Sequence, residues 1–125
     1  MTKDEAIQQF WSSFGLTAYD ANTVPTGEDA PQLPYITYEV QTDSLGAILT
    51  LTGSLWYRSP SWRAISAKAE EIAEFIGYGY HKIAVDGGYL WITKGQPFAQ
   101  RMSDPEDDMI RRIFIMLNAE FLTAY

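Results

Sequence analysis

Few residues of this chain could do chemistry, and their spacing limits what they can do. His81 is the one histidine and there is no cysteine, so the usual nitrogen and sulfur donors of a zinc site are missing. With Tyr80 and Lys82 beside it, His81 reads as a solvent-facing strand residue rather than a proton-transfer group. Asp104, Glu106, Asp107 and Asp108 offer oxygen donors. They lack the fixed spacing and terminal bidentate Glu of a helix-loop-helix calcium site, and read as a solvated helix start. Gly77, Gly79, Gly87 and Gly88 do not cradle a phosphate, since no strand leads into a glycine-rich turn that opens a helix. Glu70 and Glu71 fall on the exposed face of a helix, where nothing shifts a carboxylate toward catalysis. Trp56, Tyr57, Trp62, Tyr78, Tyr80, Tyr89 and Trp91 could stack on sugars, although sheet aromatics more often serve core or subunit contact. The expectation is a protein with no catalytic, cofactor or metal site.

These residues hang on Leu45 to Gly77, where the hydrophobic period changes from two to about 3.6. Ala47, Leu49, Leu51, Leu55 and Tyr57 alternate with Ile48, Thr50, Thr52, Ser54 and Trp56, predicting a half-buried strand over Ala47 to Tyr57. Trp62, Ile65, Ala69, Ile72 and Ile76 then recur at steps of three and four. Phe75 widens that stripe, and Arg63, Lys68, Glu70, Glu71 and Glu74 turn to water. Ser59 as cap, Pro60 in the first turn and Gly77 at the stop place a helix at Pro60 to Ile76. Trp62 is the largest side chain on the stripe, so its truncation to Ala is expected to cost roughly 3–5 kcal/mol.

Thr2 and Glu5 stand at capping-box spacing ahead of Ala6, Ile7, Phe10, Trp11 and Phe14, which predicts a second amphipathic helix ending at Gly15. Leu16 to Pro34 sustains neither period and reads as a long loop, either a mobile surface segment or one ordered by a partner. Tyr35 to Gln41 is a strand joined to the next by a turn at Asp43 to Gly46. His81 to Val85 and Tyr89 to Lys94 form a hairpin about Asp86-Gly87-Gly88. Lys94 to Asp108 reads as a polar connection with at most one helical turn, starting at Ser103 or Asp104. Met109 to Phe121 is ambiguous. Met109, Ile113, Leu117 and Phe121 share a helical face, whereas Ile113, Ile115, Leu117, Ala119 and Phe121 make one apolar strand face. The pattern leans slightly to the helix.

The length of 125 residues suits one domain, residues 1–125, with one core. Eight Tyr, six Phe and four Trp suggest contact area beyond that core. A formal charge of −7 disfavours sequence-specific or tight nucleic-acid binding, which draws its affinity from Lys and Arg. The same charge would suit a passage through which DNA slides without sticking. The lack of cysteine is compatible with a reducing cytoplasm. No stretch reads as a signal peptide and no apolar run approaches the ~20 residues that span a bilayer, so a soluble protein without a membrane partner is expected.

The run PSWRAISAKAEEIAEFI, followed by GGYLWITKGQPFAQRMSDPEDDMIRRIFIMLNAEFL, resembles the minor capsid or tail-terminator family of long-tailed, non-contractile phages and prophages, over about Tyr35 to Leu122. Its most specific parts are Gly87-Gly88, the step from Lys94 through Pro97-Phe98 to Gln100, the acidic cluster Asp104 to Asp108, and Arg111-Arg112 leading an apolar strand. The resemblance implies an α+β sandwich, a mostly antiparallel sheet of about five strands with two helices on one face. It implies a structural protein of the virion, made in the host cytoplasm, which assembles as a homo-hexameric ring. The implied partners are further copies of the chain, the tail tube protein it caps and the head-tail connector it receives. It also turns the last segment into a strand at about Ile110 to Phe121, after a short helical turn, and we adopt that assignment. Rival readings are another neck or connector protein, since fold does not fix function, and a small ligand-binding module or enzyme using the aromatic surplus.

As a strand, the last segment carries Arg112, Phe114, Met116, Asn118 and Glu120 on the face away from the helices, and a monomer would leave Phe114 and Met116 in water. Exposed aromatic and Met residues rimmed by charge compose a subunit contact. Ring closure needs one patch against a different one. The stretch with Gln96, Phe98, Gln100 and Arg101 is the candidate partner patch. The alternative is that Leu16 to Pro34 folds over this face.

Overall fold

The helix ends are set by local chemistry. In the computed structural model, which describes residues 1–41 and 48–123, helix α1 (Lys3–Trp11) opens on the expected capping box. The Thr2 hydroxyl accepts from the Glu5 amide at 3.2 Å, and the Glu5 carboxylate accepts from the Thr2 amide at 3.1 Å. A 3-10 turn at Ser12–Phe14 follows and stops at Gly15, whose φ of 79° is left-handed. After β1 (Ala18–Asp20), β2 (Tyr35–Gln41) and β3 (Ile48–Arg58), helix α2 (Arg63–Ile76) stops at Gly77, φ 78°. The hairpin of β4 (His81–Val85) and β5 (Gly88–Ser103) follows, and then β6 (Ile110–Thr123). The turn expected at Asp43 to Gly46, and Ala47, lie outside the described residues.

Helix α2 begins three residues later than expected. Ser59 accepts from the Ser61 amide at 3.1 Å and Ser61 from the Arg63 amide at 3.0 Å, so these hydroxyls hold a turn ahead of the helix. Trp62 sits at the helix threshold and is only half-buried, against the guanidinium groups of Arg101 and Arg111 at 4.9 and 5.3 Å. It therefore reaches the end of the sheet instead of its middle, and the full core penalty expected for its truncation does not apply.

The strands form one six-stranded sheet in the order β1-β2-β3-β6-β5-β4, antiparallel except for β1 beside β2. The sixth strand, β1, lies inside the stretch expected to be a loop. Three residues cannot display a period in sequence; they pair because β2 leaves an edge free, Ile36 donating to Thr17 O and Ala21 to Tyr38 O. Strand β5 likewise runs on through Lys94 to Ser103, where a polar connection was expected. The long edge of β6 supplies its partners, and Pro97, with no N–H, falls in the interruption of the ladder between Lys94 and Ala99. The helical turn expected after it is instead a turn in which the Asp104 carboxylate accepts from the amides of Glu106 and Asp107 at 2.8 and 3.3 Å.

Strand β6 is the continuous strand adopted from the resemblance. It pairs with β3 on one side and β5 on the other, and Ile113, Ile115, Leu117, Ala119 and Phe121 are all buried. A helix would have turned Ile115 and Ala119 away from the stripe of Ile113 and Leu117. Both helices lie on this one face, so the core combines the two helical stripes with Ile36, Leu51, Leu55, Leu90 and Ile92. Flat, six strands would hold β1 and β4 about 24 Å apart, far wider than a helix of about 10 Å. Helix α1 nevertheless reaches both edges. Gln8 Nε2 donates to Ala18 O at 3.2 Å beside β1, and the Met1 ammonium pairs with Asp86 just after β4 at 2.7 Å. The expected five-stranded sandwich is thus a six-stranded sheet that curls around α1. The close fit shows at Gly53, where a Cβ would stand 2.6 Å from Trp11 Cη2.

Candidate functional site

Directly opposed residues of neighbouring strands share a face, so the register gives the surface turned away from the helices. One row reads Tyr35, Trp56, Arg112, Met102; the next reads Thr37, Ser54, Phe114, Gln100; a third reads Glu39, Thr52, Met116. Arg112, Phe114, Met116, Asn118 and Glu120 therefore share this face, as expected. Asn118 and Glu120 are exposed, but Arg112, Phe114 and Met116 are half-buried by their strand neighbours, so Phe114 and Met116 are not left in water in the single chain.

Arg112 is the centre of this surface. Its Nε donates to Ser54 Oγ at 3.0 Å, and its guanidinium carbon lies 4.7 Å from the Trp56 ring and 5.9 Å from Phe114. The Trp56 indole is anchored by donation to Thr37 Oγ1 at 2.9 Å, and it stacks toward Tyr35 at 6.5 Å. Tyr19 of β1 meets Tyr35 edge-on at 5.8 Å. Burial, and then the neighbouring Tyr19, push the Tyr35 phenol above its ordinary pKa, which keeps it a neutral hydroxyl. Ala21 and Val24 close the other side of a groove of about 390 Å³ along these residues. The segment from Leu16 to Pro34 thus walls the face instead of covering it. A guanidinium laid near aromatic rings keeps its in-plane N–H donors for a planar acceptor, which is the geometry for binding a carboxylate. Among the described residues Arg112 has no carboxylate partner.

The other candidate residues do not gather into one patch. Gln100 joins this face opposite Phe114, and Gln96 is exposed at the interruption in β5. Phe98 packs against the core. Arg101 turns to the opposite side, where it lies over Trp62 and donates to Ser66 Oγ at 3.2 Å. Arg111 joins it there and donates to Pro60 O and Asp108 O. Arg58 pairs with Asp107 at 2.7 Å, and the amide of Met109, then Arg58, hold that carboxyl below its usual range. All five arginines, Arg58, Arg63, Arg101, Arg111 and Arg112, thereby gather at the end of the sheet where β3 and β5 finish and β6 and α2 begin.

Sequence reasoning did not single out Tyr35, Thr37 or Ser54, and took Trp56 only as a ring that could stack on sugars, although the period-two pattern of β3 already placed Ser54 and Trp56 opposite the core face. It also misplaced His81, whose ring faces inward against Phe75 at 4.2 Å and Phe10 at 6.5 Å. Burial pulls its pKa down. Among the described residues no group of three or more His, Asp or Glu is placed to hold a metal ion, and no helix is long and apolar enough to cross a membrane.

No family profile and no curated protein matches the sequence. The fold does have a solved counterpart. A chain of the structure described as "Virion of native gene transfer agent (GTA) particle" superposes with a TM-score of 0.55 at 18% identity, covering 95% of this chain and 93% of that one. The likeness establishes a shared sheet-dominated α+β fold along nearly the whole length of both chains.

Proposed function

We propose that this chain is a structural component of a phage-like virion, and within it a tail-terminator subunit that acts through its surfaces and catalyses nothing. Copies close into a ring, six-fold as in the family that the sequence resembles. The ring caps the tail tube and receives the head connector. The observation that carries this reading is the end-to-end superposition on a chain of a gene transfer agent virion particle. An open sheet face bearing Trp56, Arg112, Phe114 and Met116 supports it as a place for subunit contact. A net charge of −7 suits the lining of a passage for DNA, because it repels the phosphate backbone. Negative-stain imaging of the purified protein mixed with tail tubes of the same particle tests the reading. Rings seated on one tube end are the expected result. Rings seated on isolated connectors but never on tubes would make it another neck protein, and a particle-free monomer under all these conditions would sink it.

A further inference from the structure

Copies that each carry a charge of −7 repel one another unless their contact sets cations against carboxylates. The arginine-rich end of the sheet is where this chain concentrates its planar cations, and Arg112 is the member on the open face without a carboxylate partner among the described residues. The complementary surface is on the opposite side of the molecule. Helix α2 buries Ile65, Ala69, Ile72 and Ile76, so Arg63, Ala67, Glu70 and Glu74 form its outward stripe and all four are exposed. Glu70 and Glu74 are placed against local stability. They are like charges at i and i+4, Glu74 stands in the last turn, where the helix dipole disfavours an anion, and no basic residue occupies that turn. Neither joins an ion pair among the described residues, and Lys94 beside Glu74 lies over the Tyr78 ring instead. A sequence that works against its own helix at two exposed positions marks a surface kept for a partner.

Resting on the ring reading above, we propose that the outward stripe of α2 in one copy docks on the open sheet face of the next, with Glu70 and Glu74 meeting Arg112 in the groove. The spacing of charges agrees. Arg63 and Glu74 are eleven residues apart, about 16 Å along a helix. On the sheet, Glu39 lines the same groove as Arg112. Glu39 lies two strands and four residues away through Thr52 and Met116, also about 16 Å. The stripe can therefore set Glu74 on Arg112 and Arg63 on Glu39 together, while Ala67 leaves room for close approach. The two patches lie on opposite layers of the fold, so the contact is front to back, which is the kind that propagates and closes into a ring.

The test is a charge swap read by light scattering behind size-exclusion chromatography. Arg112→Glu alone, and Glu70→Arg with Glu74→Arg, should each weaken self-association by more than about tenfold while keeping the wild-type circular dichroism. Mixing the two variants should restore rings, since each then offers the surface that the other requires. Because the chain has no cysteine, a variant carrying Arg112→Cys and Glu74→Cys should also give an intermolecular disulfide ladder under mild oxidation. Wild-type rings with unweakened variants, or with weakened variants that mixing does not rescue, would overturn this contact and leave the ring reading standing. A wild type that stays monomeric at every concentration, both alone and mixed with tail tubes, would overturn both.

Discussion

Replacing Gly53 with Ala tests how tightly the sheet is wrapped on α1. The added Cβ would stand 2.6 Å from Trp11 Cη2 and 2.7 Å from Cζ3, whereas carbon atoms pack at about 3.5–4.0 Å, so the indole must retreat by about 1 Å. It has nowhere to go. Trp11 is fully buried, stacked on Tyr38 at 6.3 Å and met edge-on by Phe10 at 5.1 Å. Overpacking of this kind costs about 2–3 kcal/mol, and the lower chain entropy of Ala in a strand offsets about 0.5–1 kcal/mol of it. The net loss of about 2 kcal/mol should lower the melting temperature by about 6–8 °C for a domain of this size. Thermal and urea unfolding followed by circular dichroism read it directly. The same substitution in a Trp11→Phe background, where the ring edge is withdrawn, should cost far less, giving a coupling that a double-mutant cycle resolves. A Gly53→Ala protein as stable as wild type, or equal costs in both backgrounds, would refute the packing of Trp11 into the trough over Gly53.

Three further outcomes follow from the same structure. Burial lowers the His81 pKa from its ordinary 6.5; protonation then favours the unfolded chain, so stability held above that pH is lost as pH falls through 6.5 toward the folded-state value. His81→Phe should flatten this slope in pH-dependent melts, while the carboxyls of Glu5 and Asp107, held below their usual range, act only at lower pH. Thr2→Ala removes the acceptor for the Glu5 amide and should cost about 0.5–2 kcal/mol in urea unfolding. Trp62→Ala, which loses a half-buried ring and its contacts to Arg101 and Arg111, should cost about 1–2 kcal/mol; a loss as large as that of a core Trp would show that the ring is buried more deeply than described.

What the sequence determined by itself is local. The capping box of Thr2 and Glu5, the stops at Gly15 and Gly77, the β4–β5 hairpin and the two helical stripes depend on groups within a turn or two of one another, so their spacing announces them. Strand β6 shows the limit of that rule. Ile113, Leu117 and Phe121 satisfy both periods, and only the backbone partners offered by β3 and β5 decide for a strand. The same cause extends β5 past Pro97 and recruits Ala18–Asp20 to the edge of β2, because a strand exists only when a neighbour exchanges hydrogen bonds with it. For the candidate surface, alternation in β6 placed Arg112 beside Phe114 and Met116 on one face. Bringing Tyr35 and Trp56 to that face from two other strands, dividing Arg101 from Gln100, and turning His81 inward toward Phe75 all depend on register between distant segments. Sequence spacing carries period but not register, and register is settled by which strands meet when the sheet closes around α1.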